Sequence, residues 1–213
     1  MEMLAPSRDP AWRGGTKILG RAQLDSPAVG DDLRDIEQSL AGDHRAYEQL
    51  VRRYEAGVAS WLWRFTRERV VLEELVQEVF VQAYFSLGSY KSRAQFRTWL
   101  LSIATRVGYA HWRKTARERE RATATAERVK LVRGEVVDPS PSEAAEALHL
   151  VFKQLPCKDR LVLTLMYFEE LDTKEIADIT GWSRSLVKVR AYRARQKLKN
   201  LLEETGLARG ENG

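Results

Sequence analysis

The chain has 213 residues, 44% of them hydrophobic, with 35 basic and 30 acidic side chains and one cysteine. That length suits one large or two small domains with ordinary buried cores. A formal charge of +5 is too small to imply nucleic acid by itself, a single cysteine excludes an intrachain disulfide, and no apolar run approaches the roughly 18 residues of a membrane span.

Three scattered histidines and one thiol do not make a zinc pattern, and "MEMLAPSRDPAWRGG" lacks the apolar stretch of a secretory signal. The expectation is a cytoplasmic protein that needs no cofactor or metal. Charge is segregated along the chain. Residues 68–78 hold four acids and one base, whereas residues 183–199 hold seven bases and no acid. Local fields of opposite sign favour different partners.

In chain order, residues 1–30 carry Pro6, Pro10, Pro27 and four glycines without a hydrophobic period. They read as a disordered extension. A helical domain is expected over 31–117. Leu50, Val51, Tyr54, Val58, Leu62 and Phe65 step along one helix face, and Leu72, Leu75, Val76, Val79, Phe80, Ala83 and Tyr84 along a second. A third helix spans about Ala94–Arg117, with Phe96, Leu100, Ile103, Ala104 and Val107 inward. The period fails from Glu118 to Pro141, ending in "DPSPSE", a linker signal because each proline disfavours helix in the residue before it. Helical pattern resumes over 142–204, and 205–213 reads as a flexible tail. No strand pattern persists, so the fold expected is all-α, with two helical lobes.

"DTKEIADITGWSRSLVKVRAYRAR" has the anatomy of a helix-turn-helix. Asp172 and Glu175 suit a capping box, Gly181 a left-handed helix end and Ser183 a second cap. Val187, Ala191, Ala194, Leu198 and Leu201 form the buried stripe of the second helix. Ser185, Lys188, Val189, Tyr192, Arg193 and Gln196 are then exposed, the face that enters a DNA major groove in such motifs. Lysine or arginine there can bind guanine edges while neighbouring cations neutralise phosphates.

In the N-terminal lobe, "EELVQEVFVQAYFSL" exposes Glu74, Gln77 and Glu78. The following helix is aromatic (Phe96, Trp99, Tyr109, Trp112) and turns basic (Arg106, Arg113, Lys114, Arg117). Rings interleaved with cations suit single-stranded DNA, since bases stack while cations follow phosphates. Each ring taken alone also suits a core. Two other readings compete: a stand-alone helix-turn-helix regulator with a sensing or dimerising N-terminal lobe, and a nucleic-acid enzyme with Glu74 and Glu78 as a metal pair. The second lacks the further convergent carboxylates that two-metal sites need.

"ELVQEVFVQAY", "FRTWLLSIA" and "LPCKDRLVLTLMYFEELDTKEIADITGWSRSLVKVRAYRARQKL" resemble, in order and spacing, a bacterial extracytoplasmic-function sigma factor. The resemblance covers about residues 40–117 and 143–202. It implies a non-catalytic subunit that gives core RNA polymerase its promoter choice. By resemblance, Glu74, Leu75, Gln77, Glu78 and Phe80 would dock on the β′ clamp coiled coil, and the polymerase β flap is a further implied contact. Phe96, Trp99, Arg106, Tyr109, Trp112, Arg113 and Lys114 would read and help open the −10 element. Ser183, Arg184, Ser185, Lys188, Val189, Tyr192, Arg193 and Arg195 would read the −35 element. An anti-sigma partner is also implied. The sequence departs from the family at Arg106, where asparagine is usual, and at Ala110, where an acid or amide is usual. These positions share one helix face in the family's base pocket, so the departure implies either an unusual −10 preference or one carried by nearby residues.

Overall fold

The computed structural model describes residues 29–92, 95–125 and 150–205, and all their regular structure is helical. The N-terminal lobe contains α1 (Val29–Leu40), α2 (His44–Leu62), α3 (Arg69–Ser86), a 3₁₀ turn (Leu87–Ser89) and α4 (Phe96–Thr125). The C-terminal lobe contains α5, described over 150–154, α6 (Cys157–Leu163), one π turn (Thr164–Phe168), α7 (Thr173–Thr180) and α8 (Arg184–Glu204). The expected extension over 1–28, linker residues 126–141 and tail residues 206–213 lie outside the described residues, as does Ala94, the expected start of the third helix.

Two expected boundaries move. Helix α1 begins at Val29, before the boundary at residue 31, because buried Asp32 and Asp35 bind it to α2. The Arg53 guanidinium donates to Asp32 at 2.6 Å and to Asp35 at 2.7 Å, and the Tyr54 hydroxyl donates to Asp32 at 2.5 Å. Removing one partner would leave an uncompensated buried charge. Helix α4 continues past Arg117 to Thr125, so Glu118–Thr125 is helix rather than linker. That segment, "ERERATAT", has no glycine or proline and includes the strong helix formers Arg, Glu and Ala. It extends beyond the lobe's apolar core and therefore needs no apolar stripe.

The N-terminal core forms where the three predicted stripes meet. Leu50, Val58 and Leu62 of α2, Val79 and Ala83 of α3, and Leu100, Ile103 and Ala104 of α4 are all buried. Each large aliphatic side chain contributes about 1.5–3 kcal/mol on burial. One glycine in α4 has a packing reason. A Cβ at Gly108 would sit 2.4 Å from Cγ of the Phe65 ring, and Phe65 is itself buried. Gly108→Ala should therefore cost about 1–3 kcal/mol by overpacking, despite alanine's higher helix propensity. Denaturant unfolding checks this, and a stabilised variant would contradict the packing described.

The C-terminal lobe packs α7 and α8 around Ile176, Ile179, Val187, Ala191 and Ala194, all buried. Leu198 and Leu201, expected in that stripe, are half-buried. The lobes also pack on each other, α4 lying against α6 and α7. The Arg160 guanidinium lies 3.8 Å over the Trp112 ring, and Arg64 forms an ion pair with Glu169. In this structure, direct contacts join the two lobes in addition to the chain between them.

Candidate nucleic-acid interface

Local chemistry fixes the helix-turn-helix. The Asp172 carboxylate accepts from the backbone of Lys174 at 2.7 Å and Glu175 at 2.8 Å, while the Glu175 carboxylate accepts from the Asp172 backbone at 2.9 Å. The Glu175 amide, first among the causes, holds the Asp172 carboxyl below its ordinary range. Gly181 ends α7 at φ +71°, where a side chain would be strained. The Ser183 hydroxyl then accepts from the Leu186 amide at 3.2 Å and starts α8. These details agree with the sequence reading residue by residue.

With Val187, Ala191 and Ala194 turned inward, α8 exposes Arg184, Ser185, Lys188, Val189, Tyr192, Arg193 and Arg195. The exposed arc divides. Val189 and Arg193, with Leu186, Arg190 and Lys197, line a cleft of about 550 Å³ whose opposite wall includes Tyr109, Arg113 and Arg117 of α4. Ser185, Lys188 and Tyr192 occupy the other side of the exposed arc, about 100° round the helix by residue spacing. Arg195 donates to the Tyr167 hydroxyl at 3.4 Å. Ser183 is exposed, and its hydroxyl is engaged in the cap.

The candidate −10 residues fall into three groups. Arg106, Arg113 and Lys114 are exposed, and the usual-asparagine position is thus occupied by an accessible guanidinium. Ala110, the second departure, is exposed beside it at i, i+4 spacing. Trp99 and Tyr109 are half-buried, Trp99 lying 5.4 Å from both Tyr90 and Phe96 and Tyr109 lying 5.9 Å beneath Arg113. Each leaves part of its surface accessible for stacking.

Phe96 and Trp112 require correction, since both are buried at 3% and 5% exposure. Phe96 fills an aromatic cluster with Tyr54, Tyr90 and Trp99. The Trp112 indole N–H donates to the Phe65 carbonyl at 2.7 Å, its ring lies 4.5 Å from Phe65, and Arg160 covers it. No base can reach either ring in this arrangement; both support the helix that carries the accessible groups.

On α3, Glu74, Gln77 and Glu78 are exposed, but Leu75 and Phe80 are buried. This corrects the last two as contact groups: they point inward on the apolar stripe and hold the acidic face. Sequence reading missed three exposed apolar groups on α3, Val70, Val81 and Phe85, the last 82% exposed. Their one signal was a position outside the inward stripe. Tyr84, expected on that stripe, is exposed as well.

Residues 50–118 match the family "Sigma-70 region 2", and residues 145–198 match "Sigma-70, region 4". The chain is 31% identical to RNA polymerase sigma factor YlaC of Bacillus subtilis, over 73% of this chain and 92% of that protein. It is 30% identical to the ECF RNA polymerase sigma-E factor of Escherichia coli, over 79% of this chain and 92% of that protein. Its fold is similar to that of a solved structure of CnrH in complex with the cytosolic domain of CnrY. The TM-score is 0.52 with 24% identity, over 82% of this chain and 98% of that one. A two-lobed helical protein with a capped helix-turn-helix is the class the fold defines. The chain belongs to the sigma-70 family, within its extracytoplasmic-function group.

Proposed function

We propose that this chain binds core RNA polymerase and directs it to promoters, with the N-terminal lobe docking and reading the −10 element and the C-terminal lobe reading the −35 element. The observation that carries this reading is the pairing of two unlike surfaces inside the two family-matched segments. One is the exposed acidic face of α3, formed by Glu74, Gln77 and Glu78; the other is the exposed basic arc of α8. A stand-alone regulator would leave the region 2 match over residues 50–118 unexplained.

Promoter opening by such a protein is driven by binding. Half-buried Trp99 and Tyr109 offer stacking surfaces beside Arg106, Arg113 and Lys114, and stacking contributes about 1–3 kcal/mol per base. That is comparable to the few kcal/mol needed to unstack and unpair a nucleotide. The protein makes and breaks no bonds itself; polymerase, whose β′ clamp and β flap it meets, supplies the catalytic site. This reading places the protein in the cytoplasm. Among the described residues, no helix is long and apolar enough to cross a membrane. An anti-sigma partner belongs to the same proposal, as the family resemblance implies.

Promoter binding also requires the lobes to part. Arg193 and Val189 face α4 across the cleft, so α8 cannot present its whole arc to a major groove about 12 Å wide. Opening exposes both walls at once.

Lys188→Ala and Arg193→Ala test the −35 assignment. Each should weaken transcription from promoters that depend on that element by about 1–3 kcal/mol of binding, the worth of one good base contact. Polymerase association, measured by co-purification, should be unchanged. Loss of association instead would transfer α8 from promoter reading to docking.

A further inference from the structure

We propose that the cleft between α4, α6 and α8 binds a small polyphosphate anion, a nucleoside triphosphate fitting it best, and that this ligand holds the lobes closed. The proposal goes beyond promoter reading, because it concerns a site that exists only while the two DNA-facing walls are apposed.

Size is the first argument. About 550 Å³ falls within the 300–1,000 Å³ of ordinary small-molecule sites. It holds a nucleotide, whereas α8 cannot enter a duplex while α4 lies along the same face.

Charge is the second. Arg113 and Arg117 of α4 face Lys158 of α6 and Arg193 of α8 around this space. Two carboxylates also line the space, Asp159, which pairs with Lys197 at 2.5 Å, and Glu120, fewer than its cations. Those four cations form no ion pair with an acid among the described residues. Closing the lobes therefore brings like charges together, which opposes closure. An anion between them reverses the sign of that interaction. Arginine forks bind phosphate oxygens bidentately, and cations contributed by three helices suit a ligand with several phosphates better than one carboxylate.

The make-up of the wall is the third. Arg190 also lines the cleft, its guanidinium 4.7 Å from the Trp182 ring. Tyr109, with Leu186 and Val189, adds an aromatic and apolar portion of wall, which suits stacking of a base. Such a ligand would bind the closed form and not the open one, shifting the population away from promoter binding by its differential affinity.

Isothermal titration of the full chain with ATP, pyrophosphate and adenosine, without DNA or polymerase, tests this apart from the promoter reading. ATP should bind saturably at one site. Arg117→Ala and Lys158→Ala, both exposed and outside the promoter-reading set, should each weaken it about tenfold, the effect of losing one charge-assisted hydrogen bond. Pyrophosphate binding more weakly than ATP assigns the remainder to the aromatic wall. Equal binding of the two would keep the polyphosphate site but overturn the preference for a nucleotide. Adenosine binding as tightly as ATP would overturn the proposal. So would non-saturable ATP uptake, or saturable uptake unchanged in the Arg117→Glu, Lys158→Glu double variant.

Discussion

Glu78→Lys should abolish co-purification of this protein with core RNA polymerase while leaving its unfolding midpoint nearly unchanged. Glu78 is exposed on α3, and the contact that holds it is the Gln82 side-chain amide, donating at 3.0 Å. Substitution there removes no buried packing, so the stability change should stay within about 0.5 kcal/mol. Docking is another matter. Reversing a charge in a desolvated interface removes one attraction and adds one repulsion, and losing one partner of such a pair costs about 2–5 kcal/mol. Neighbouring Glu74 and Gln77 share the face, so Glu74→Lys should act in the same direction. Co-purification that survives Glu78→Lys in a normally folded protein would remove the acidic face of α3 from the docking surface.

Trp112→Ala should be the most destabilising of the substitutions considered. It empties the space between Phe65 and Arg160 and takes the indole donor from the Phe65 carbonyl, 2.7 Å away. Truncating a buried tryptophan costs about 3–5 kcal/mol, and a stranded buried carbonyl adds about 1–3 kcal/mol. Thermal unfolding should therefore fall by more than about 12 °C, at about 4–8 °C per kcal/mol for a domain of this size. Arg160 responds to the same environment: burial, ahead of its other influences, draws its guanidinium down to about 10. Trp112→Phe should fall between, keeping most of the ring and losing the donor. A Trp112→Ala protein that folds normally but fails to open promoters would restore the ring to the DNA-stacking set.

The elements that sequence reading located best are those determined locally. Asp172, Glu175, Gly181 and Ser183 carry their structural meaning in residue type and offset, because a cap needs only its own first turn. Helix α7 accordingly spans Thr173–Thr180 and α8 begins at Arg184, as the caps require. The end of α4 was illegible for the opposite reason. Apolar period tracks burial in a core, and the segment after Arg117 stays helical without one.

Aromatic residues defeated the reading where two roles share one spacing. Phe96, Trp99, Tyr109 and Trp112 follow the same helical step, yet Phe96 and Trp112 are buried while the other two remain partly accessible. What separates them is the partner on another element: Tyr54 beside Phe96, and Phe65 and Arg160 beside Trp112. No periodicity in α4 encodes those neighbours. Closure of the lobes was equally hidden, since it depends on pairs distant in sequence, Arg64 with Glu169 and Trp112 with Arg160. The family resemblance gave each lobe its task but said nothing of the cleft between them.

The central claim is that this chain gives core polymerase its choice of start site. The most direct measurement combines the purified full chain with core enzyme and a genomic template pool, and maps the transcript 5′ ends. New start sites sharing −10 and −35 sequences, dependent on both Glu78 and Lys188, are the predicted result. A chain that associates with core and yields no start sites beyond those of core alone would contradict the account.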